Sequence, residues 1–590
     1  MKVRELLYRF LIWRMKHISN RHFVLILAGV VGAFAGLAAV VLKETVHFIQ
    51  LFLTSGFDTK YENYYYLGYP LIGIVLTVIV ARYILKEKLG HGITSILFHT
   101  SKLSSIIPRS KMYSRMITSA ITVGFGGSVG LEAPIAVTGS AIGSNFGRLF
   151  HLNYNKRTLL IGCGAAGAIS AIFNSPIAGV IFSVEVILAN VTITSLVPLL
   201  IASVCASLVS RMLVGNDFLF LFKIQDQFVA SDVPYFLLLG VTCGLVAVYF
   251  TRLMYFFEDL IQRVNNKIGR AVLGGVSLGL IIFIFPPIYG EGYQSILNLL
   301  QGKEETMLNN TFFFEHVENN LVIMLFLLGI ILVKPIATAL TIGSGGSGGV
   351  FAPSLFLGGV TGYLFSRVIN VFGPGGISTS NFTLVAMCGV MSGVLHAPLT
   401  AIFLIAEITG GYTLFVPLML VSAIAYTTSL YFESDSLYTK KLIQRGDLIR
   451  DRDKQVLSLI DLKKIVETDL SIVSPQATLG ELVDLVRKSK RNIFPVVNEH
   501  NELLGIITLD DIREKMFDEE SRNSIIVSTI MHSPPSYVSP KESMESVMLK
   551  FEKTSAWNLP VIEEGKYVGF LSKSRIFNAY RKKLIRQHKE

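Results

Sequence analysis

A single carboxylate lies in one of the most apolar stretches of the chain. Glu132 stands in GGSVGLEAP, residues 126–134, between glycines and a proline. Glycines let the backbone come close to a bound group, and a proline can start a helix whose free amides and positive dipole end face that group. The segment therefore predicts a pocket for an anion. Tight helix packing alone would explain the glycines, but not the Ala-Pro ending or Glu132.

A sequence repeat indicates that this pocket is built from two related halves. GAISAIFNSPIAGVIFSVE at 167–185 matches GVMSGVLHAPLTAIFLIAE at 389–407, because in both a glycine precedes a proline by nine residues and a glutamate follows it by nine. A glycine-rich run ending in Ala-Pro comes before each, at 126–134 and as GSGGSGGVFAP at 343–353. Hydrophobic segments interrupted by Gly and Pro at matching positions predict broken helices around a transport site near mid-membrane.

The composition predicts that a membrane positions these segments. Hydrophobic residues make up 51% of the 590 residues and charged residues 16%, and the mean hydropathy is +0.54. Such a chain is too apolar for an ordinary soluble protein, and its apolar runs are too long for the short alternating strands of a barrel. We expect an all-α polytopic membrane domain of two inverted repeats. Runs near the length of a bilayer crossing include Phe23 to Leu42, Tyr66 to Leu85, Tyr235 to Tyr255, Val272 to Ile288, Leu321 to Ile342 and Leu414 to Tyr431.

Charge and composition divide the chain into five parts. Residues 1–21 are basic and are expected to lie in the cytoplasm. We predict the membrane domain at 22–440, a charged linker at 441–466, and a soluble, cytoplasmic α/β tail of two similar units at 467–522 and 523–590. The net charge of +11 suits a protein that faces anionic lipid, and it gives no reason to expect a nucleic-acid partner.

The two tail units share one order of elements. Each is expected to contain a strand, a Ser-Pro turn, an amphipathic helix, an apolar strand (FPVV or LPVI), a second strand and a final helix. With the phrases GIITLDDI and GFLSKSRI, this order resembles a tandem pair of CBS domains. The resemblance implies a possible adenine nucleotide (ATP, ADP or AMP) bound by Thr508 and Asp511 in the first unit and by Ser572 in the second. Arg575 replaces the expected second Asp, so at most one full ribose site is expected, and a purely structural pair is the alternative.

The membrane motifs together resemble the CLC family of chloride channels and transporters. The resemblance is carried by GGSVGLEAP, by GGVFAP and by SLYTKKL, in that order. It implies a homodimer with one anion pathway per subunit, no enzymatic activity, and no required cofactor. Glu132 matches the gating glutamate, which plugs the anion site when ionised and leaves it when protonated. The implied anion-binding residues are Gly130 in the same element, the backbone amides of Val350 and Phe351, and the Tyr438 hydroxyl.

Two departures from the family pattern affect selectivity and mechanism. The family usually has Gly-Ser-Gly-Ile-Pro where this chain has GHGIT, so His91 and Thr94 replace the serine that binds the anion and a proline that affects anion preference. His91 is either an anion contact or a structural donor. Proton-coupled members commonly carry a second glutamate where this chain has Val186. This favours a channel, and a proton-coupled chloride or anion antiporter is the alternative.

Two other classes of function are disfavoured. A CBS-containing magnesium channel should show convergent Asp or Glu within the membrane, whereas the acids here are scattered. An intramembrane enzyme would need a nucleophile and base or a metal-ligand set, and the sequence has none in a recognisable pattern. We therefore expect chloride transport across a bacterial inner membrane, with glutamate gating and possible regulation by the tail.

Overall fold

The computed structural model describes residue 9 and residues 13–14, 16–55, 63–87, 90, 92–188, 193–215, 226–313, 319–373, 375–447, 457, 460–489 and 491–589. The chain forms two compact units, residues 1–448 and 449–590. The first contains the apolar helices, and the second contains all four strands of the described residues.

The named elements of the first unit, in its described part, are all helices, and several of them are short or start at a proline. Two helices, Tyr65–Ile79 and Pro176–Phe182, each continue into a π-helical turn, at Val80–Ile84 and Ser183–Ile187. The helices are α1 (Asn20–Thr54), α2 (Tyr65–Ile79), α3 (Gly92–Ser101), α4 (Ser114–Gly124), α5 (Glu132–Leu149), α6 (Tyr154–Phe173), α7 (Pro176–Phe182), α8 (Ile193–Val214), α9 (Val233–Gln262), α10 (Lys267–Ile284), α11 (Tyr293–Leu300), α12 (Asn320–Gly343), α13 (Phe351–Phe372), α14 (Thr379–Leu395), α15 (Pro398–Ile408), α16 (Phe415–Phe432) and α17 (Lys440–Gln444).

Nine helices in the described part of the chain are long and apolar enough to cross a membrane. They are α1, α2 with its π-helical turn, α6, α8, α9, α10, α12, α13 and α16. All six apolar runs named from the sequence overlap one of these helices. The run at 272–288 extends beyond its helix, since α10 ends at Ile284 and Pro286–Ile288 forms a 3₁₀ turn. The first unit is therefore an integral membrane domain.

Corresponding helices of the two halves pack in corresponding ways. In the first half, Gly139 on α5 and Gly164 on α6 meet backbone to backbone, so that a Cβ on either would clash with the other's carbonyl oxygen. In the second half, Gly358 and Gly362 on α13 meet the backbone of α14 in the same manner. Small residues at these crossings allow the close approach that stabilises helix pairs in membranes.

Two glutamates exchange helix caps between the halves. Glu185, at the end of the first repeat, accepts two backbone N–H groups at the start of α15 in the second half, at 2.8 and 3.2 Å. Glu407, at the end of the second repeat, accepts two at the start of α7 in the first half, at 2.8 and 3.0 Å. Each acid thus satisfies amides that have no intrahelical partner. The repeat seen in the sequence is therefore a structural repeat whose halves interlock.

The tail consists of two similar units, each with an antiparallel two-stranded sheet. The predicted first strand of each unit is reduced to one parallel bridge, Val473 with Val496 and Val538 with Val561. The elements are α18 (Leu479–Lys488), β1 (Ile493–Val497), β2 (Leu503–Thr508), α19 (Leu509–Ile512), α20 (Glu519–Ser524), α21 (Val527–Ile530), α22 (Met544–Thr554), β3 (Asn558–Glu563), β4 (Lys566–Ser572) and α23 (Lys573–Lys589).

Candidate anion site and gate

Glu132 is the first residue of α5, and its side chain is almost completely buried, with 1% of the residue exposed. The Tyr293 hydroxyl donates a hydrogen bond to Glu132 Oε1 at 2.5 Å. Glu132 Oε2 lies against Gly130. A Cβ added to Gly130 would be 2.0 Å from Glu132 Oε2 and 2.7 Å from the Ala352 Cβ, so only glycine fits at this position. The carboxylate therefore folds back from its own helix toward the first turn of α13.

The starts of α5 and α13 are held side by side by a contact between the two glycine-rich runs. Gly130 and Gly349 form an antiparallel bridge, with N–H to O distances of 2.8 and 2.9 Å. Antiparallel pairing of corresponding segments is what two inverted halves produce. The Gly130 N–H is engaged in the bridge. Because Gly130 has no side chain, it leaves space for the Glu132 carboxylate.

Val350 and Phe351 lie at the start of α13, and both are 1% exposed. The first amides of a helix have no intrahelical acceptor, and the dipole makes this end positive. The Glu132 carboxylate therefore lies where two helix starts favour negative charge. A small anion would be favoured in the same place for the same reason.

The segment YGEGY, residues 289–293, contacts residues 126–132, which contain the candidate gate Glu132 and are called the gate segment below. No motif in the sequence predicted this contact. The Tyr289 ring occupies the space beside Gly126, which has a φ of +90° and could not carry a side chain there. Glu291 Oε1 accepts the backbone N–H of Leu131, the residue before the gate, at 3.1 Å. Tyr293 then binds Glu132 itself. Three alternate residues of one turn thus hold the gate segment.

A buried lysine also supports the glycine-rich run. The Lys334 ammonium on α12 donates to the Ser128 hydroxyl at 2.8 Å and lies 4.6 Å from the centre of the Phe356 ring. The residue is fully buried. A buried cation needs compensating negative charge, and Glu291 lies within its electrostatic range.

Tyr438 lies on the segment before α17, and it is 3% exposed. It is within electrostatic range of Glu132. The Thr94 hydroxyl, on the first turn of α3, donates to the Tyr438 backbone oxygen at 2.9 Å. A proline at position 94 could not make this bond, so the departure in GHGIT gives the tyrosine segment an additional anchor. The other departure, His91, lies outside the described residues.

The segment in which proton-coupled members of the family commonly have a second glutamate contains one acid, Glu185, which has a structural role. Val186 is half-buried against the core. Its neighbour Glu185 is engaged in the cap of α15, and the Thr400 hydroxyl also donates to it at 2.7 Å. Both carboxylate oxygens of Glu185 are therefore held by donors at the start of α15.

In the tail, Thr508 and Asp511 lie together at the start of α19. Asp511 Oδ2 accepts the Thr508 backbone N–H at 2.6 Å and its hydroxyl at 2.7 Å, and it lies 3.2 Å from His532 Nε2. Burial alone would raise the pKa of Asp511, but the hydrogen bonds from Thr508 and the nearby His532 outweigh it and hold the pKa below its ordinary value.

The corresponding position in the second unit is occupied differently. The Ser572 hydroxyl donates to Glu467 Oε1 at 3.0 Å and accepts the Arg575 N–H at 3.2 Å. Glu467 also pairs with Arg491 at 2.5 Å. Glu467 and Arg491 line a cavity of about 200 Å³ within the tail, and its other lining residues are Leu470, Asn492, Ile493, Asn558 and Phe570.

The fold belongs to the class of membrane proteins in which broken helices surround an ion pathway. The features that define this class here are the inverted halves, the exchanged helix caps and the carboxylate between two helix starts. A family model described as "Voltage gated chloride channel" matches residues 72–430, and the chain belongs to this family. The CBS domain model matches residues 462–518 and 527–582, which confirms the predicted tandem pair.

Curated relatives include both channels and exchangers by name. "Chloride channel protein CLC-f" of Arabidopsis thaliana is 26% identical over 72% of this chain, and the chain spans 60% of that relative's length. "H(+)/Cl(-) exchange transporter ClcA" of Vibrio cholerae is 27% identical over 71% of this chain and 89% of its own length.

Solved structures show the same fold at lower sequence identity. A slow cyanobacterial Cl-/H+ antiporter has a TM-score of 0.61 at 22% identity, covering 74% of this chain and 100% of its own. A CLC-type fluoride/proton antiporter has a TM-score of 0.58 at 22% identity, covering 71% of this chain and 97% of its own.

Proposed function

We propose that this protein conducts chloride across the membrane through a pathway gated by Glu132. The observation that carries the proposal is the position of the Glu132 carboxylate between the starts of α5 and α13. Ionised, it occupies a site that favours negative charge. Protonated, it has less attraction to the helix starts, so chloride can take its place. The amides of Val350 and Phe351, the Tyr438 hydroxyl and His91 are the proposed contacts of the anion inside the gate.

The pathway is proposed to be of the channel type. Its support is the apolar Val186 at the position of the proton relay, together with the cap role of Glu185. The second candidate is proton-coupled exchange, which is favoured by the names of the relatives: the Vibrio cholerae protein and both solved structures are proton exchangers. Reversal potential under combined chloride and proton gradients separates the two, because a channel follows the chloride gradient alone.

The proposed setting is a homodimer in a bacterial inner membrane, with the N-terminus and the tail in the cytoplasm. The membrane domain is proposed at 22–440, the linker at 441–466, and the CBS units at 467–522 and 523–590. One adenine nucleotide is proposed at Thr508 and Asp511, because Ser572 is engaged by Glu467 and Arg575 replaces the second acid. The tail is proposed to regulate the pathway.

Chloride efflux from vesicles containing the full-length protein tests the gate. Glu132→Gln removes the charge but keeps the shape of the side chain, so efflux should become insensitive to pH. Glu407→Gln is a matched control, because this carboxylate caps α7 and is not placed at the anion site. Efflux from Glu132→Gln vesicles that keeps the pH dependence of the parent would show that another group is the gate.

A further inference from the structure

Glu291 is placed beside the gate by an unusual turn. It lies between two glycines in the left-handed region, Gly290 with a φ of +64° and Gly292 with a φ of +83°. The turn brings Glu291 Oε1 to the backbone N–H of Leu131, and two residues later it brings Tyr293 to the Glu132 carboxylate. Glu291, from the second half of the fold, therefore binds the backbone of the residue that directly precedes Glu132, which is in the first half.

Contacts with α1 and α2 show on which side of the membrane this turn lies. With 35 residues α1 is about 52 Å long, so its two ends lie on opposite sides of the bilayer. The Tyr69 hydroxyl at the start of α2 donates to Leu53 at the end of α1. The Tyr66 ring lies 5.4 Å from that of Tyr289 in the turn. Glu291 is thus on the side of the membrane opposite Asn20, the first residue of α1. With the N-terminus in the cytoplasm, as proposed, this is the outer side.

Charged groups on three other elements lie within electrostatic range of Glu291. They are Glu132 on α5, Lys334 on α12 and Lys43 on α1. The like charge of Glu132 disfavours ionisation of both acids at once, while the two lysines favour it. When two carboxylates interact strongly, a proton taken up belongs to the pair and not to one residue.

We propose that Glu291 is a second titratable member of the gate, which shares one proton with Glu132 and receives that proton from the outer side. The inference rests on the proposed function of Glu132. The step is a proton transfer only: the Glu291 carboxylate takes a proton from hydronium in the external solution and leaves water, the proton passes to the Glu132 carboxylate, and Glu291 is again ionised. The neutral Glu132 then leaves the helix starts, and chloride enters.

Chloride efflux from vesicles, with the external and internal pH varied separately, tests the role of Glu291. Glu291→Gln keeps an oxygen that can accept the Leu131 N–H but removes the charge. When the negative charge of Glu291 is removed, Glu132 ionises more easily, so the external pH of half-maximal efflux should fall by about one unit. Variation of the internal pH should show a smaller difference between Glu291→Gln and its parent.

Two further variants distinguish a shared proton from a structural contact. Glu291→Asp keeps the charge and should keep a midpoint close to that of the parent. Glu305→Gln makes the same change at an exposed acid soon after α11, and it should leave the midpoint unchanged. An unaltered midpoint in Glu291→Gln, or equal shifts in the Gln and Asp variants, would overturn the proposal.

The Glu132→Gln background separates this proposal from that of the gate. If efflux in Glu132→Gln is insensitive to pH and Glu291→Gln alone leaves the midpoint unchanged, only the role of Glu291 is refuted. If Glu132→Gln keeps its pH dependence, the gate proposal fails first. If both single variants behave as expected, adding Glu291→Gln to Glu132→Gln should have no further effect on the pH profile.

Discussion

Tyr293→Phe should weaken the closed state of the gate by a predictable amount. The variant keeps the ring, which packs edge-on against Phe173 at 6.4 Å, and removes only the hydroxyl that donates to Glu132 Oε1 at 2.5 Å. A buried hydrogen bond to a charged group contributes about 1.5–3 kcal/mol. Because 1.4 kcal/mol is a factor of ten, the equilibrium between seated and displaced carboxylate should shift toward the displaced form by roughly 10- to 150-fold.

The shift should be visible as chloride efflux under conditions that keep the parent closed. Efflux is measured from vesicles at about pH 8, where the carboxylate is expected to be ionised and seated. Tyr249→Phe is the matched control, because its hydroxyl donates to the Leu332 backbone oxygen on α12 at 2.8 Å and does not contact the gate segment. We expect faster efflux from Tyr293→Phe and near-parental efflux from Tyr249→Phe.

A double-mutant cycle shows whether the effect passes through Glu132. In the Glu132→Gln background the charged partner is absent, so Tyr293→Phe should change efflux by a few-fold at most. Equal effects of Tyr293→Phe in both backgrounds would refute the reasoning, as would parental efflux from the single variant.

Two further predictions concern residues that the sequence analysis singled out. Thr94→Val removes the donor to the Tyr438 backbone oxygen, a hydrogen bond worth about 1 kcal/mol. The nitrate-to-chloride permeability ratio should therefore change several-fold in Thr94→Val and stay at the parental value in Thr94→Ser. Equal ratios in the parent and both variants would contradict the role of Thr94 as an anchor of the tyrosine segment. Asp511→Ala should weaken ATP binding to the full-length protein, measured by calorimetry, and should lower tail stability by about 1 kcal/mol near pH 7, because it removes the oxygen that accepts the Thr508 N–H at the start of α19. The folded-state pKa of Asp511 is held below its ordinary value. The stability difference between the parent and the variant should therefore be fully present above the ordinary pKa, and it should vanish as the pH falls through the folded-state pKa. Binding of two ATP per subunit, or a stability difference that survives strong acidification, would contradict the assignment.

The repeated part of the site could be predicted from the sequence because its signals are local. Gly126 to Pro134 and the run ending at Pro353 each contain their glycines and proline within about ten residues, and the first also contains Glu132. Glycine and proline determine backbone shape and helix starts. The same holds for the apolar runs, whose length alone indicates a membrane crossing. Fold class, family and tail type were confirmed for these reasons.

The residues around the gate could not be predicted because their signals are not local. Tyr293 is 161 residues from Glu132, and Glu291 is 160 from Leu131, so no periodicity or motif connects them. The sequence Gly290-Glu291-Gly292 was the one local indication of this contact, since a charged residue between glycines in an apolar region is typical of a functional site. Glu185 and Glu407 were recognised as markers of the repeat, but their exchange of caps appears only when the halves pack together.

The exchanged caps also impose an order on the making of the protein. Glu407 caps amides at the start of α7 that precede it by about 230 residues in the chain. At a synthesis rate of roughly 5–20 residues per second, those amides wait about 10 to 50 s for their partner. A free amide in lipid costs several kcal/mol, so during this interval the start of α7 must stay in contact with water or with another acceptor. The first half therefore cannot reach its final packing while the ribosome is still translating the second, and insertion of the membrane domain is completed only after Glu407 has emerged.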